Sequence, residues 1–526
     1  MSTTLSAEGT RVTFMLRTWV IPILSLVFVS AAHAAAGPTA NPDSALLAVL
    51  EEIRGAPLPL EQAVQHALKN ATAIRKAEAT YLAAAAAVRR EKGAFDPEFF
   101  FSLNYQDREQ PAASFFAGAT VLATQQTTSR TGLRLDLPVG TKLELALNTV
   151  RLNTNSQFAF LDPEYNTSSS FTIRQPLLGG FSRSARKHLT HAERVLAAEK
   201  ARYDQQVRAL NAEVERRYWD LYAAGRDYAV QRFLRDRAAA FLAETQLRTQ
   251  AGLVGPSQAA NARTFLAEQE LLLIDREEQL DHQSDQLASL IGVRPEAGAP
   301  RFVPADEPPS DFPGEPVEVL VERALQRNLD LQAAQRDLEA AQTLAEAARL
   351  EVRPRADLVG ALGGDGLSGT AREVVFGSDT LRTSSGGGFG EALSQAGKGE
   401  FPNWSVGVEL SVPIGFRSAA GERERLEAQV LGARQTHLEK SRLVEEQVRA
   451  AWRELSHGQS RLEAAREGVA AAQEQLRIGM VEFHNGRSTA FELVRLGADL
   501  AVAQRRYSDA LVRTAKAAAT LKQLTY

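Results

Sequence analysis

The sequence has no cysteine, only 7% aromatic residues and no excess of either charge, with 60 Lys and Arg against 64 Asp and Glu. Each absence excludes something. Without Cys there is no disulfide framework, zinc ribbon, thiolate nucleophile or lipid anchor on a mature N-terminal Cys. A net charge of −4 leaves no basic footprint for nucleic acid, which normally shows as a strongly basic domain. Beyond Ala36 no run approaches the roughly 18 uninterrupted apolar residues of a spanning helix. Sparse aromatics beside 24% charged residues point away from aromatic-rich sandwiches and toward helices. At about 150 residues per domain, 526 residues allow three or four units, or one repeat architecture.

Chemistry-bearing motifs are lacking too. The eight His residues are scattered. His188 and His191 share a helix face, but no neighbouring acid completes a metal set, so they read as solvated surface. The glycine-rich stretch 360–369 does not open a helix in a βαβ unit and is no phosphate loop. There is no nucleophile elbow and no H-E-x-x-H. The expectation is a protein without catalysis, metal or cofactor.

What is present begins at the N-terminus. Arg11 and Arg17 precede the apolar run 19–29, which ends at Ala32-His33-Ala34. A basic region, a short apolar core and an A-x-A site are the parts of a secretory signal peptide, assigned to residues 1–36. Pro22 and a core of about a dozen residues make the run too short for a bilayer, which needs about 20. The mature chain is expected to be exported without a transmembrane helix.

The rest reads as one unit used twice. The pairs Leu68/Leu325, Ile74/Leu331 and Pro97/Pro354 share one shift, from 97 to 354, without a gap. Gln175-Pro176-Leu177 matches Val412-Pro413-Ile414, and Gly252-Leu253-Val254 matches Gly486-Arg487-Ser488. The first repeat is set at 37–293 and the second at 317–526. Between them, 294–316 is rich in Pro and acidic residues and reads as a linker.

Each repeat is expected to run helix, strands, very long helix, turn, helix. Residues 60–92 are alanine-rich and close at Gly93 and Pro97. Strand patterns follow, with Phe99, Phe101, Leu103 and Tyr105 alternating with polar neighbours, as do Leu133, Leu135 and Leu137, then Leu143, Leu145 and Leu147, and Phe171 with Ile173. The second repeat offers 358–362 and the clearest strand, Trp404, Val406, Val408, Leu410 and Val412. Such alternation suits a membrane barrel, apolar face to lipid and polar face to lumen, or a soluble hairpin with one buried face. Charges on the polar faces and the long glycine-rich segment 363–398, expected as a loop, favour the barrel.

Residues 182–247 contain no proline, and Leu196, Tyr203, Val207, Leu210, Val214, Tyr218 and Leu221 recur at helical spacing. A helix of roughly 65 residues would be about 100 Å long. Its counterpart covers about 419–481. Helices of this length pack as coiled coils or helical tubes. Each ends in a glycine turn, at Gly252 and at Gly486, and a helix returns over 258–291 and 489–524. Gly252 can adopt positive φ to end its helix, and Pro256 suits the first turn of the next.

An exported, duplicated chain with two strand regions, each followed by a helical hairpin, resembles a TolC-family outer membrane efflux channel. The turns Gly252-Leu253-Val254…Asn261-Ala262-Arg263 and Asn485-Gly486…Glu492-Leu493 carry the resemblance with it, over about 58–524. The resemblance implies a mainly α fold with membrane β: a homotrimer closing one barrel in outer membrane lipid, continued by an α-helical tunnel across the periplasm. It implies that the tips, here Gly252, Leu253, Val254, Ser257, Gly486, Arg487, Ser488 and Thr489, dock a periplasmic adaptor coupled to an inner-membrane pump. It also implies a tip gate. Glu492 falls on the first acidic position after the second turn, Arg495 falls where a second acid is expected, Gln258 replaces an acid after the first turn, and Phe483 falls on the aromatic before the second. A mixed-charge tip is therefore expected rather than an acidic ring.

The family has two strands per repeat. The apparent extra hairpin 132–147 therefore either widens the barrel or projects beyond the membrane, and four membrane strands per protomer is the expectation. The function expected is a passive exit duct for small molecules. A protein cargo of type I secretion and a pore-less periplasmic scaffold are the alternatives.

Overall fold

The computed structural model describes residues 44–526 except 180, 310–313 and 378. The expected signal peptide lies outside the described residues. In chain order the elements are α1 (Ser44–Glu51), β1 (Ala56–Leu58), α2 (Leu60–Asn70), α3 (Thr72–Gly93), β2 (Glu98–Pro111), β3 (Val121–Asp136), β4 (Lys142–Thr154) and β5 (Leu161–Leu178). The first hairpin follows as α4 (Lys187–Gln250) and α5 (Pro256–Ile291), then β6 (Phe302–Pro304), α6 (Val317–Arg327) and α7 (Leu329–Glu351). The chain ends with β7 (Arg355–Ala371), β8 (Val374–Phe376), β9 (Asp379–Leu381), α8 (Phe389–Lys398), β10 (Phe401–Ser411), α9 (Arg417–His484) and α10 (Ala490–Thr525).

The single helices expected at the start of each repeat are both broken in two. Ala71 and Asn328 leave the helical region with ψ of 124° and 123°, and they stand at the same 257-residue shift that relates Pro97 to Pro354. Asn328 caps α7 by accepting from the Leu331 amide at 3.1 Å. Ala71 has no side chain to cap with, so tertiary packing around buried Ala67, Ala71 and Ile74 places that break.

The long helices are present with 64 residues in α4 and 68 in α9, so each is about 100 Å long at 1.5 Å per residue. Their thickest packing surrounds Tyr218 and Trp219 on α4, against α2, α5 and α10. The Tyr218 hydroxyl donates to the Leu58 carbonyl at 2.9 Å and accepts the Ala305 and Asp306 amides at 3.0 Å each. Burial pushes its ionisation up, so it stays protonated. The proline-rich linker is thus pinned at this point. Its β6 pairs in parallel with β1, and buried Arg301 reaches Glu277 and Asp281 at 2.9 and 2.8 Å.

Six of the strands form one antiparallel sheet in the order β10-β7-β5-β4-β3-β2, apart from the small pairs β1–β6 and β8–β9. The apparent extra hairpin, β3 and β4, stands inside this sheet between β2 and β5, which do not pair with each other. Cross-strand partners share a face. One row runs Phe99, Leu133, Leu145, Phe171, Leu362, Trp404 across all six strands. The adjacent row, on the other face, runs Glu98, Arg134, Glu144, Thr172, Ala361, Ser405. The hairpin therefore carries the same apolar band as its neighbours. Opposite the band, Glu144 bridges Arg130 and Arg134 at 2.5 and 3.1 Å, and Arg174 joins Asp357 and Glu409 at 3.0 and 2.6 Å.

The segment expected as a loop is largely ordered into the sheet. β7 runs on to Ala371, and α8 lies across it where Gly364 and Gly366 leave room. A side chain at Gly366 would collide with the Ala392 carbonyl. Ser169 fixes the helix by donating to the Ala396 carbonyl at 2.9 Å.

Candidate functional site

The two hairpin turns are built alike. Gly252 and Gly486 take φ of 74° and 71°, a region that is costly for residues with a Cβ. In each turn an amide reaches back five residues, Leu253 to the Arg248 carbonyl at 2.9 Å and Arg487 to the Glu482 carbonyl at 2.8 Å. This is a Schellman closure, which satisfies carbonyls left open at a helix end. The return helices then start differently. Pro256 occupies the first turn of α5, whereas Thr489 caps α10 by accepting from the Glu492 amide at 3.3 Å.

Around these turns Gly252, Leu253, Ser257, Gly486, Arg487 and Thr489 are exposed, and Val254 and Ser488 are half-buried. Leu253 is 74% exposed. On the second tip Phe491, which pattern reading passed over, is 75% exposed. Each tip thus ends in a bare apolar side chain beside polar neighbours.

The expected gate residues separate into two groups. Glu492 and Arg495 meet in an ion pair at 2.7 Å on the first turn of α10. Gln258 stands exposed on the other hairpin. Phe483 is 6% exposed and points into the seam between the hairpins. Its ring meets Phe241 edge-on at 6.2 Å, and the Arg248 guanidinium sits 4.3 Å from its centroid. A cavity of about 150 Å³ adjoins it, lined among others by Phe233, Leu234, Met480 and Leu493. Arg248 and Phe241 were invisible as partners in sequence, because they lie more than 230 residues from Phe483.

The seam continues up the helices. Arg237 approaches the Met480 sulfur at 3.3 Å, buried Arg226 donates to Ser508 at 2.7 Å, Arg505 faces Asp227 at 3.6 Å, and Lys516 pairs with Asp220. Burial raises the Asp227 carboxyl pKa, with Asp509 adding to the effect and Arg505 opposing it. Polar contacts therefore tie α4 to α9 and α10 along the seam. Among the described residues no group of three or more His, Asp or Glu could hold a metal ion. Among them also, no helix is long and apolar enough to cross a membrane.

An amphipathic sheet with two free edges, standing on helical hairpins about 100 Å long, defines the class of barrel-and-tunnel membrane channels. The chain belongs to the outer membrane efflux protein family, whose model matches residues 63–293 and 320–525. It is an outer membrane efflux channel with a periplasmic helical tunnel. Its fold is similar to that of the outer-membrane channel OprN, at 18% identity and a TM-score of 0.62, with 89% of each chain covered. It is similar as well to the CmeC outer membrane channel of Campylobacter jejuni (14%, 0.60, covering 89% of this chain and 85% of that one). The open-state MtrE channel of Neisseria gonorrhoeae gives 16%, 0.59 and coverages of 89% and 88%. No curated protein sequence matches this chain.

Proposed function

We propose that three copies of this chain assemble into one duct whose periplasmic tip is both gate and docking site. The observation that carries this reading is the pairing of a sheet with two open edges to hairpins that end in two equivalent turns. Open strand edges are not tolerated in lipid, since every unpaired backbone group there costs several kcal/mol. Copies of the same sheet remove them. The chain acts as a passive conduit and performs no catalysis, so the energy for export comes from an inner-membrane pump through a periplasmic adaptor.

In this reading Gly252, Leu253, Val254, Ser257, Gly486, Arg487, Ser488 and Thr489 meet the adaptor, and Leu253 and Phe491 are its apolar anchors. Glu492, Arg495 and Gln258 line the constriction. Phe483 acts behind it, holding the second hairpin to the first. Residues 37–293 and 317–526 are the two copies of the building unit, and 1–36 is the export signal. The test is adaptor pull-down with Leu253→Asp and Phe491→Asp. Binding should fall at least tenfold while trimers and conductance persist. Unchanged adaptor binding by both variants would refute the docking assignment.

A further inference from the structure

The free strands of the sheet are β2 at one edge and β10 at the other. Their apolar residues in the band are all exposed. Phe99, Phe101, Leu103 and Tyr105 are 60–69% exposed, and Trp404, Val406, Val408 and Leu410 are 66–76% exposed. β2 runs away from the helical hairpins and β10 runs back toward them, so between two copies these edges meet antiparallel.

We propose that three copies close a single eighteen-stranded barrel through a β2–β10 seam, in which Ser411 pairs with Glu98 of the next copy. The proposal rests on the trimeric channel reading above and adds the strand count and the register. Three observations fix it.

First, the hairpin β3–β4 cannot be left out of the wall. The six-residue apolar row from Phe99 to Trp404 crosses it without interruption, and removing it would leave β2 without a partner and open an edge on β5.

Second, the stagger already present sets the tilt. The row that starts at Glu98, at the bottom of β2, reaches β10 at Ser405, six residues short of the strand end at Ser411. With a rise of about 3.3 Å and a strand spacing of about 4.8 Å, this corresponds to a tilt of about 35°, within the usual range for barrels.

Third, the register matches side chains. Ser411 opposite Glu98 places Leu410 on Phe99, Val408 on Phe101, Val406 on Leu103 and Trp404 on Tyr105 of the next copy, all on the lipid face. The Trp–Tyr pair then stands at one rim of the apolar band, where aromatic girdles belong. A shift by two residues one way sets Trp404 against Asp107. The same shift the other way puts Leu410 beyond the end of β2 and lowers the tilt to about 25°. A shift by one reverses every face.

At equal tilt, barrel diameter grows with strand number, so eighteen strands give a backbone diameter of about 34 Å against about 23 Å for twelve. The mixed-charge clusters Arg130–Glu144–Arg134 and Asp357–Arg174–Glu409 then line the end of the barrel that joins the helices.

The chain has no cysteine, so introduced pairs report without background. Ser102→Cys with Gly407→Cys places two thiols on the lumen face of the proposed seam, at a Cα distance within disulfide range. Within one copy these residues are five strands apart. Under mild oxidation most of the protein should run as covalent trimers that reductant reverses. Asn104→Cys with Gly407→Cys, one register step away, should give at least tenfold less. An electron-microscopy cross-section of the unmodified trimer should show eighteen wall strands. A conducting trimer with twelve wall strands, or one cross-linked at 104–407 and not at 102–407, overturns the proposal. Wild-type protein that neither trimerises nor conducts would instead defeat the channel reading on which the seam rests.

Discussion

Replacing Phe483 by Ala should loosen the tip without touching any residue that faces the constriction. The side chain is 6% exposed and adjoins a cavity of about 150 Å³, so truncation enlarges a void rather than letting neighbours close in. Removing a buried Phe typically costs about 3–5 kcal/mol. Part of that is ordinary apolar burial. The part specific to the seam is the edge contact with Phe241 and the Arg248 guanidinium over the ring. These are worth about 1 kcal/mol each, and Arg248 is partly occupied by Glu244 at 2.7 Å. Together they hold the hairpins by about 2 kcal/mol, or about 30-fold in a closed-to-open ratio. Phe483→Leu, which keeps an apolar side chain, should raise basal open probability in planar bilayers by up to that factor. Phe483→Ala should exceed it and sensitise cells to large antibiotics. A double-mutant cycle with Arg248→Ala should give a coupling of about 1 kcal/mol. Wild-type open probability in Phe483→Leu, with zero coupling, would show that the ring contacts do not hold the tip closed.

Other outcomes follow from the same structure. Glu492→Ala removes a helical ion pair worth only about 0.3–0.5 kcal/mol, so stability should hold while the freed Arg495 raises basal conductance and shifts selectivity toward anions; bi-ionic reversal potentials check this. Gly486→Ala meets no neighbour within 4 Å, so its effect is the backbone term alone, about 1–2 kcal/mol; drug efflux should fall with barrel insertion unchanged. Tyr218→Phe strands the Asp306 amide, while the Ala305 amide keeps the Leu58 carbonyl at 3.2 Å; the loss costs about 1–3 kcal/mol, read as a lower melting temperature. Asp227 holds its proton more tightly folded than unfolded, so its contribution to stability is complete below the unfolded pKa near 3.8 and is lost as pH rises through the folded value. Asp227→Asn should therefore equal wild type in acid and melt higher at neutral pH.

Much of this fold is legible in the sequence where one physical rule dominates. The row from Trp404 to Leu410 is read from period-two alternation alone, and α4 from the absence of proline and its apolar spacing. The outer half of β3 is not, because Thr124 to Arg130 are polar on both faces and the strand exists through its partners in β2 and β4. α8 hides in a glycine-rich stretch because two of those glycines serve its approach to β7. The break at Ala71 runs against local propensity, alanine being the strongest helix former. At the tip, both glycine turns and the Thr489 cap follow from local rules. The burial of Phe483 against Arg248 is a contact between the two repeats, and no local pattern encodes it.

A pore built by trimers of this chain in the outer membrane underlies all of these outcomes. Purified protein added to a planar lipid bilayer tests it most directly. Heat-modifiable trimers should insert and conduct in discrete steps of uniform size. A protein that remains soluble and never carries current would contradict it.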